Sequence, residues 1–571
     1  MKNAISSTAA PSESREGRSA STVKPCPNWG PLTIRSLLDK WSNAGGDAVY
    51  LEDADGEQIT FRAMHRHVAS LSAFLSSQRL RPGDCILIRA GRRVEGLMAL
   101  LAAWSAGINV CVVPESMSVR QATEGAVSFA PKMAIEAGRI DQSSWETPRI
   151  LELSAHLFTI RMVGCFGSAP DGLVDLSSVT DTLTDQALKE SKDTSGSATI
   201  SFLHHRGDGG LERITRDQPQ LLSQALASAV TASLTNDCEI GTAYDPLSAH
   251  GLLAVALPAL LVGTRATFFD PVQRALDAHF QLWQSEKPDR RLVLPAGFSQ
   301  KVGFDTNSKA PGIRVWVSNG PAPARLPAKD RLLVDCGGVA LLPGRLDSEG
   351  NTVLQPGAIV VEPVKGDGIS FGTLRLKAEP QDKRRTGTVR HGELQLSSPL
   401  AGTMQGRTEE AQPTGVAVRL AEDSKKRPVY VLVREDGPAV WIGNQRAHIA
   451  AINRTLGLTA RWQDAAAFSL PDPVLGNRIE VAVEPRMKQG ETASLPTLET
   501  VRTMLRESGI SDAALPVRIH LVVQVPRRGR NAVNVEALDS MRLDDALEAM
   551  GEAIEANDSG ELLPATQAAV A

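Results

Sequence analysis

Three arginines lie close together near the carboxyl end of the chain, at Arg527, Arg528 and Arg530. They belong to the stretch Val525-Pro526-Arg527-Arg528-Gly529-Arg530-Asn531-Ala532-Val533-Asn534. A guanidinium group presents its N–H donors in a fixed fork that suits phosphate and carboxylate oxygens, so this stretch could bind an anion. A solvated basic loop is the simpler interpretation of the three charges.

A glycine-rich stretch follows a predicted strand at residues 199–203 and precedes a predicted helix at residues 219–234. Its glycines are Gly207, Gly209 and Gly210. Glycine-rich turns in such a position can wrap phosphates with their backbone amides. Here Asp208 and Glu212 add negative charge, which repels a triphosphate unless a metal ion intervenes.

Two histidines and an aspartate in the same stretch, His204, His205 and Asp208, could be considered as metal ligands. Adjacent residues of a strand point to opposite faces, so the two imidazoles do not converge. With only one of the imidazoles able to join Asp208, a third clustered ligand is not evident in the sequence, and we interpret these residues as structural.

The sequence Gly368-Ile369-Ser370-Phe371-Gly372 has the spacing of a serine-hydrolase nucleophile elbow, and later histidines could complete a triad. Those histidines are His391, His448 and His520. An elbow needs a helix after the serine, whereas residues 373–377 alternate like a strand. A serine hydrolase is therefore a remote alternative, and a β-turn is the preferred interpretation.

Length and charge limit the possible classes of protein. A chain of 571 residues suggests two to four domains, because single domains usually hold roughly 100–200 residues. Its 61 basic and 65 acidic residues leave a net charge of −4, with no block of one sign. Nucleic-acid binding and a polybasic membrane patch are therefore not supported, and small-molecule chemistry is expected.

The cysteines and apolar segments indicate a cytoplasmic protein without a membrane span. The six cysteines are scattered, with no C-x-x-C pair and no metal-like spacing, as is typical of reduced and mostly buried thiols. The longest apolar run, residues 252–262, contains Pro258 and is well short of the ~20 residues that a bilayer span needs.

Helical and strand patterns alternate along much of the chain, which favours an α/β fold with parallel sheets. Examples are a helix over residues 62–77 with Thr60 as its N-cap, a strand over 85–88, a helix over 94–105 and a strand over 108–113. A second α/β run covers residues 198–334. Residues 354–396 change to short alternating strands, which indicates a β-barrel-like subdomain.

Five short segments of the sequence resemble motifs of a single known family. They lie at residues 56–61 (Gly-Glu-Gln-Ile-Thr-Phe), 80–84 (Leu-Arg-Pro-Gly-Asp), 102–108 (Ala-Ala-Trp-Ser-Ala-Gly-Ile), 471–478 and 525–534. Together they resemble the AMP-forming acyl-activating ligases, the superfamily of acyl-CoA synthetases, luciferases and adenylation domains. The resemblance covers about residues 31–543, and the last string is similar to the ending P-R-T-x-x-G-K-[VI]-x-R of that family.

Adenylation in that family requires a phosphate loop, a magnesium-binding carboxylate, a ribose-binding aspartate and a lysine at the reacting oxygens. The resemblance places Glu212 at the lysine of the phosphate loop, Ala340 at the metal-binding glutamate, Val416 at the ribose aspartate and Ala532 at the catalytic lysine. Four such losses are hard to reconcile with efficient adenylation, because each interaction made in the transition state contributes several kcal/mol.

Other elements of the family persist. The glycines of the phosphate loop remain in part, at Gly207, Gly209 and Gly210. The resemblance implies that an adenine loop contains Ser318, Gly320, Pro321 and Gly337, and that His250 and Gly251 line an acyl pocket. It also implies a domain hinge at Arg434 and Gly437 and an acceptor channel beside Gly443.

The expected fold class is α/β, with a large N-terminal domain of α/β sheets, a β-barrel-like subdomain and a smaller hinged C-terminal α/β domain. The expected organisation is a flexible tail at residues 1–30, an AMP-binding-like large domain at 31–434 with its β-subdomain at about 350–430, a small domain at 435–543 and a helical or flexible tail at 544–571.

Two functions from different classes follow. The first is a divergent family member that is catalytically impaired or silent, requires no cofactor and acts as an acyl- or nucleotide-binding partner. The alternative is an active ATP-dependent acid–thiol ligase, which would use ATP, Mg²⁺ and coenzyme A or a carrier-protein thiol. Expected partners are a small-molecule carboxylate or acyl group and an acyl carrier protein or pathway enzyme, without nucleic acid.

Overall fold

The structure is a computed structural model that describes most of the chain between residues 23 and 538. The described residues are 23–30, 32–91, 93–114, 117, 119–139, 149–167, 169–181, 198–205, 211–269, 289–295, 312–318, 330–347, 351–361, 368–378, 391–404, 411–432, 439–442, 445–458, 462–472, 476–485, 496–508, 510, 512–528 and 532–538.

Helices occur in both the amino- and carboxyl-terminal parts of the described chain. They are α1 (Ile34–Gly45), α2 (Phe61–Ser77), α3 (Glu95–Ser105), α4 (Val119–Ala126), α5 (Arg149–His156), α6 (Leu176–Asp181), α7 (Gln218–Thr231), α8 (the consecutive segments Ala249–Gly251, Leu252–Ala256 and Leu257–Val262), α9 (Ile449–Leu458) and α10 (Leu498–Glu507). The middle segment of α8 is π-helical. Within the described residues, no helix has both the length and the apolar character needed to cross a membrane.

The main sheet joins a parallel half to an antiparallel half. Its strands are β1 (Val23–Pro25), β2 (Val49–Glu52), β3 (Gln58–Thr60), β11 (Glu239–Thr242), β12 (Arg265–Phe268), β13 (Arg290–Pro295), β14 (Ile313–Ser318), β15 (Arg331–Asp335), β16 (Leu341–Leu346), β17 (Thr352–Leu354), β18 (Gly357–Val361), β19 (Gly368–Ala378), β20 (His391–Ser397), β22 (Gln412–Glu422) and β23 (Pro428–Leu432). Strands β2, β12, β11, β13, β14 and β15 are parallel neighbours in that order.

The predicted β-barrel-like subdomain is the antiparallel half of this sheet. Strand β16 pairs with both β15 and β17, and the path continues through β23, β22, β20 and β19. In the described residues these strands follow an open path and no closed barrel is seen. The segment with the elbow spacing lies within β19, so the serine at position 370 is in a strand that continues to Ala378. That geometry differs from the strand, turn and helix of a nucleophile elbow.

The second sheet is mostly parallel. Its strands are β4 (Cys85–Arg89), β5 (Asn109–Val113), β6 (Met133–Arg139), β7 (Met162–Phe166), β8 (Val174–Asp175), β9 (Ile200–His205), β10 (Leu211–Arg216) and β21 (Thr403–Met404). Strands β10 and β21 are antiparallel additions at one edge. A single apolar core joins one face of each sheet to helices α2, α3, α7 and α8.

The carboxyl-terminal part contains small sheets of its own. Their strands are β24 (Ala439–Ile442), β25 (Gln445–His448), β26 (Trp462–Asp472), β27 (Gly476–Pro485), β28 (Arg518–Leu521), β29 (Arg527–Arg528) and β30 (Ala532–Val533). Strands β26, β27 and β28 form one sheet, and helices α9 and α10 contribute to the apolar core on one of its faces. The α/β fold expected from the sequence is confirmed by these sheets and helices.

Helix α2 begins where its sequence predicts. Thr60 adopts an extended conformation and its hydroxyl oxygen accepts a hydrogen bond from the backbone N–H of Ala63. The N-cap therefore satisfies one of the free amides of the first turn. Behind it, the ring of Phe61 stacks on Tyr50 of β2, so the start of the helix is also fixed by the core.

We expect Thr60→Ala to lower the free energy of unfolding of this region by about 1 kcal/mol, because one amide of the first turn loses its acceptor. The measurement is the midpoint of the first transition in urea. Thr60→Ser keeps the hydroxyl and is the matched control. Equal losses in the two variants would show that the cap makes no contribution.

Candidate functional site

The candidate site lies at the carboxyl end of β15, an edge where parallel sheets commonly bind ligands. Residues 335–340, here called the 335–340 turn, connect β15 to β16. Inside it, the N–H of Cys336 donates to the carbonyl of Ala340 at 2.8 Å, and the N–H of Val339 donates to the carbonyl of Cys336 at 3.0 Å. The turn is therefore closed by its own backbone.

Gly337 is required at its position by two constraints. Its φ is +62°, in the left-handed region that favours glycine. A Cβ atom there would lie 2.0 Å from the carbonyl oxygen of Thr414 on β22. The 335–340 turn and β22 approach each other too closely for any other residue.

A buried histidine–aspartate pair links α8 to the same turn. The Nε2 of His250 lies 3.1 Å from Oδ2 of Asp335, and Oδ1 of Asp335 accepts a hydrogen bond of 2.7 Å from the N–H of Gly338. Both residues are buried, with Asp335 only 1% exposed. Ser248 caps α8 through the N–H of Gly251, which places His250 in the first turn of the helix.

Tyr244 closes the other side of this pair. Its ring stacks on the imidazole of His250 with a centroid distance of 4.8 Å and an interplanar angle of 22°. Burial raises the pKa of Tyr244 well above its usual value, and the negative charge of Asp335 raises it further. The phenol is therefore neutral at physiological pH.

Arg216, the last residue of β10, reaches the turn from the second sheet. Its Nη2 donates to the carbonyls of Gly338 at 2.9 Å and Val339 at 2.6 Å, and its Nη1 donates to the carbonyl of Leu400 at 2.7 Å. Its Nε has no hydrogen-bond partner in the described part of the chain. The side chain is fully enclosed, since Arg216 is 1% exposed.

The guanidinium of Arg216 remains charged at neutral pH. Burial lowers its pKa to about 10, and the carboxylates of Asp335 and Asp217 oppose that effect. Asp335 therefore faces a histidine on one side and lies within electrostatic range of a buried cation, which offsets the unfavourable burial of its own charge.

The positions assigned by resemblance have separate environments. Ala340 is 1% exposed and belongs to an apolar cluster with Cys336 and Val339. Ser318 is buried at the end of β14, paired beside Val334. Gly251 is buried in α8, where a Cβ atom would lie 2.0 Å from the carbonyl oxygen of Asp245. Of the positions assigned by resemblance, Gly337 and Ala340 are therefore part of the 335–340 turn, and His250 contacts the turn through Asp335.

The glycine-rich stretch is followed by a strand and not directly by a helix. Glu212 lies on β10, half-buried and paired opposite His204, and α7 begins only at Gln218. In the sequence, the charged residues of β10 obscure the alternation of apolar and polar side chains that would predict a strand. Other positions named above lie outside the described residues, namely Gly207, Gly209, Gly210, Gly320, Pro321, Arg434, Gly437 and Gly443.

Thr414 and Val416 occupy β22 beside the turn. The hydroxyl of Thr414 donates to the carbonyl of Leu394 at 3.0 Å and accepts from the N–H of Val416 at 3.2 Å. Val416 is half-buried and packs on the apolar cluster of Ala340. The hydroxyl of Thr414 is therefore used within the chain.

The basic stretch near the carboxyl end forms a hairpin, in which Arg527 pairs with Val533 and Arg528 with Ala532. The guanidinium of Arg527 makes a bidentate contact with the carboxylate of Asp464, at 2.7 and 2.8 Å. Both partners are about one-third exposed, so the contribution of the pair to stability is modest. Arg527, predicted to lie in a solvated basic loop, is exposed and pairs with Asp464 of β26.

A buried carboxylate lies on the sheet face next to this hairpin. Glu480 receives a hydrogen bond of 2.7 Å from Nε of Arg478, and its other oxygen lies 2.6 Å from Nε2 of His520. Burial alone would raise the pKa of Glu480, but the hydrogen bonds from His520 and Arg478 outweigh it and lower the pKa. The ionised carboxylate is thereby favoured in the folded state.

Three residues central to the site were missed by sequence reasoning, namely Arg216, Tyr244 and Asp335. Arg216 lies two residues after buried Ile214 and therefore on the same face of β10. This spacing is the one sequence signal that the side chain of Arg216 points inward. Asp335 directly precedes the cysteine and the glycine pair of the turn. Its partner His250 lies 85 residues earlier, and no local pattern predicts that contact.

Comparison with known proteins identifies the class to which this fold belongs. Residues 38–163 match the family model described as AMP-binding enzyme. No curated protein sequence matches the chain significantly. The fold is similar to that of MbtA from Mycobacterium smegmatis, with 17% identity, 89% of this chain and 94% of that chain covered, and a TM-score of 0.56.

Two further solved structures share the fold. The amide bond synthetase McbA from Marinactinospora thermotolerans is 13% identical over 89% of this chain and 99% of its own, with a TM-score of 0.61. The o-succinylbenzoate CoA synthetase MenE from Bacillus subtilis is 14% identical over 89% and 98%, with a TM-score of 0.59. The fold is that of the adenylate-forming ligases. In sequence, the similarity to AMP-binding enzymes covers residues 38–163.

We expect Gly337→Ala to destabilise the protein by about 2–4 kcal/mol, because it combines an unfavourable φ with overpacking against Thr414. The matched control is Gly357→Ala, at a position with φ of +86° and no atom within 4 Å of the added Cβ. That variant should lose only about 1 kcal/mol. Urea unfolding of both variants is the measurement, and similar losses would contradict the close approach.

The carboxylate of Glu480 should make stability depend on acid pH. Because its pKa is lower in the folded than in the unfolded state, its contribution is complete above the unfolded value of about 4.3 and is lost as the pH falls through the folded value. Glu480→Gln should therefore reduce the acid dependence of the urea midpoint. An unchanged pH profile in the variant would show that other groups cause the dependence.

Proposed function

We propose that this protein is a divergent ligase-family member in which ATP-dependent activation of a carboxylic acid is weak or absent. Its role is to bind an acyl group or a nucleotide as a partner within a pathway or complex in the cytoplasm. In this proposal the large domain is residues 31–434 and the small domain is residues 435–543.

The observation that carries the proposal is the environment of Ala340. The resemblance places a magnesium-binding glutamate there, but the methyl group provides no oxygen donor and is buried among apolar side chains. The adjacent carboxylate of Asp335 is held by His250 and the N–H of Gly338. Within the described residues, no group of three potential metal-binding side chains occurs. These residues do not fit a magnesium ion bound as the family binds it.

Two other environments support the same proposal. The hydroxyl of Thr414 is bonded to the backbone, and the neighbouring side chain at Val416 cannot accept hydrogen bonds from a ribose. At the hairpin, the cation of Arg527 is held by Asp464, so this arginine does not stand in for the lysine expected at Ala532.

The bound ligand is proposed to be a small carboxylate or its acyl derivative. Among the similar structures, one is a CoA synthetase and another is an artificially fused adenylation and carrier-protein di-domain. These relatives support an acyl carrier protein, or another enzyme of the same pathway, as the macromolecular partner. ATP, Mg²⁺ and coenzyme A belong to the alternative, an active acid–thiol ligase whose catalytic groups have moved.

We expect no ATP-dependent release of pyrophosphate above the background with a panel of fatty, aryl and amino acids. Calorimetry should show no tight binding of ATP that depends on Mg²⁺, because the carboxylate and lysine contacts expected in this family are missing. The matched control is one active adenylate-forming ligase assayed with its own acid under the same conditions.

Turnover at the rate of that control enzyme would contradict the proposal. The alternative would then be tested with two variants. Activity that survives Arg530→Ala but is lost on substitution of Gly209 would place catalysis in the glycine-rich stretch. Labelling of Ser370 by an active-site serine probe would instead support the remote hydrolase alternative.

A further inference from the structure

The polar side chains around the 335–340 turn form a network contributed by distant parts of the chain. Arg216 comes from the second sheet, Asp335 from the end of β15 and His250 from the first turn of α8. One residue, Gly338, connects two of them, because its N–H donates to Asp335 while its carbonyl accepts from Arg216. The turn is thus held between an anion on one side and a cation on the other.

The cation makes contacts that are unusual for an arginine. Instead of a bidentate bond to a carboxylate, the guanidinium donates to the carbonyls of Gly338, Val339 and Leu400. Carbonyl oxygens converging on one positive charge are also the arrangement by which proteins hold a hard metal cation. Here the charge is covalently attached to the chain and fully enclosed.

We propose that Arg216 is a positioning residue that supplies, from within the chain, the positive charge that a bound metal ion would bring to this edge of the sheet. The 335–340 turn is then held in its observed form without a metal ion or a nucleotide. This inference deepens the proposed function. The claim that no metal ion is needed at the turn rests on that function.

The geometry around Arg216 supports a fixed position. A Cβ atom added to Gly402 would lie 2.5 Å from Ile214 and 3.1 Å from Arg216, so the segment after Leu400 packs directly on the end of β10. The N–H of Gly402 also donates to the carbonyl of Val339 at 2.9 Å. The same carbonyl therefore accepts from both the guanidinium and the neighbouring segment.

The test is hydrogen exchange of the peptide that covers residues 335–341, measured by mass spectrometry on the full chain. Arg216→Met removes the charge and keeps most of the volume, and we expect exchange of this peptide to be about tenfold faster or more. The matched control is Arg314→Met, which removes an arginine bound to Asp330 at the opposite end of β15. It should leave this peptide unchanged.

A second variant keeps the inference testable if Arg216→Met fails to fold. Arg216→Lys retains the charge and should keep most of the protection of residues 335–341. If the lysine variant exchanges about tenfold faster than the wild type, the fork of the arginine and not its charge holds the turn, and the inference is wrong. Equal exchange in Arg216→Met and the wild type would also overturn it.

The last measurement is hydrogen exchange of the wild-type protein. Addition of MgCl₂ should leave exchange of residues 335–341 unchanged, because no external cation is needed there. Increased protection with MgCl₂ alone would overturn the inference. Increased protection that requires ATP together with Mg²⁺ would overturn the proposed function of impaired nucleotide chemistry, while the comparison of Arg216→Met with Arg314→Met would still decide the role of Arg216.

Discussion

The contact between Arg216 and three backbone carbonyls fixes the relative position of three parts of the fold. Arg216 ends β10 in the second sheet, Gly338 and Val339 belong to a turn of the main sheet, and Leu400 follows β20 in the antiparallel half. A buried charge that loses its partners is strongly unfavourable, so these segments must stay together in the folded state. The arrangement of the candidate site follows from this requirement.

The anionic side of the network imposes a matching constraint. Asp335 is buried at the end of a parallel strand, where its carboxylate is tolerable only with partners on both oxygens. His250 and the N–H of Gly338 provide them, and this aligns the first turn of α8 with the end of β15. The close contact of Gly337 with Thr414 then brings β22 against the same turn. Charge and close packing thus act on one short segment.

Much of the fold could be predicted because its signals are local. The cap at Thr60 and the alternation of apolar strands and helices depend on neighbouring residues, and the structure confirms both. The candidate site was harder to predict from the sequence. Strand β10 is rich in charge and does not resemble a buried strand, and the contact of His250 with Asp335 joins residues from different elements. An arginine is expected at the surface, so the buried position of Arg216 could not be inferred from its type.

The stability of the scaffold is separable from ATP chemistry, because groups at or beside the positions that the resemblance assigns to ATP contacts are satisfied by the chain itself. The methyl group of Ala340 packs in a core, the hydroxyl of Thr414 donates to Leu394, and the cation of Arg527 is bound by Asp464. None of these interactions needs a nucleotide. Under the proposed function, a ligand must therefore gain its affinity from other contacts, and apolar burial of an acyl chain, at about 25 cal/mol per Å², is the source that does not require the missing charges.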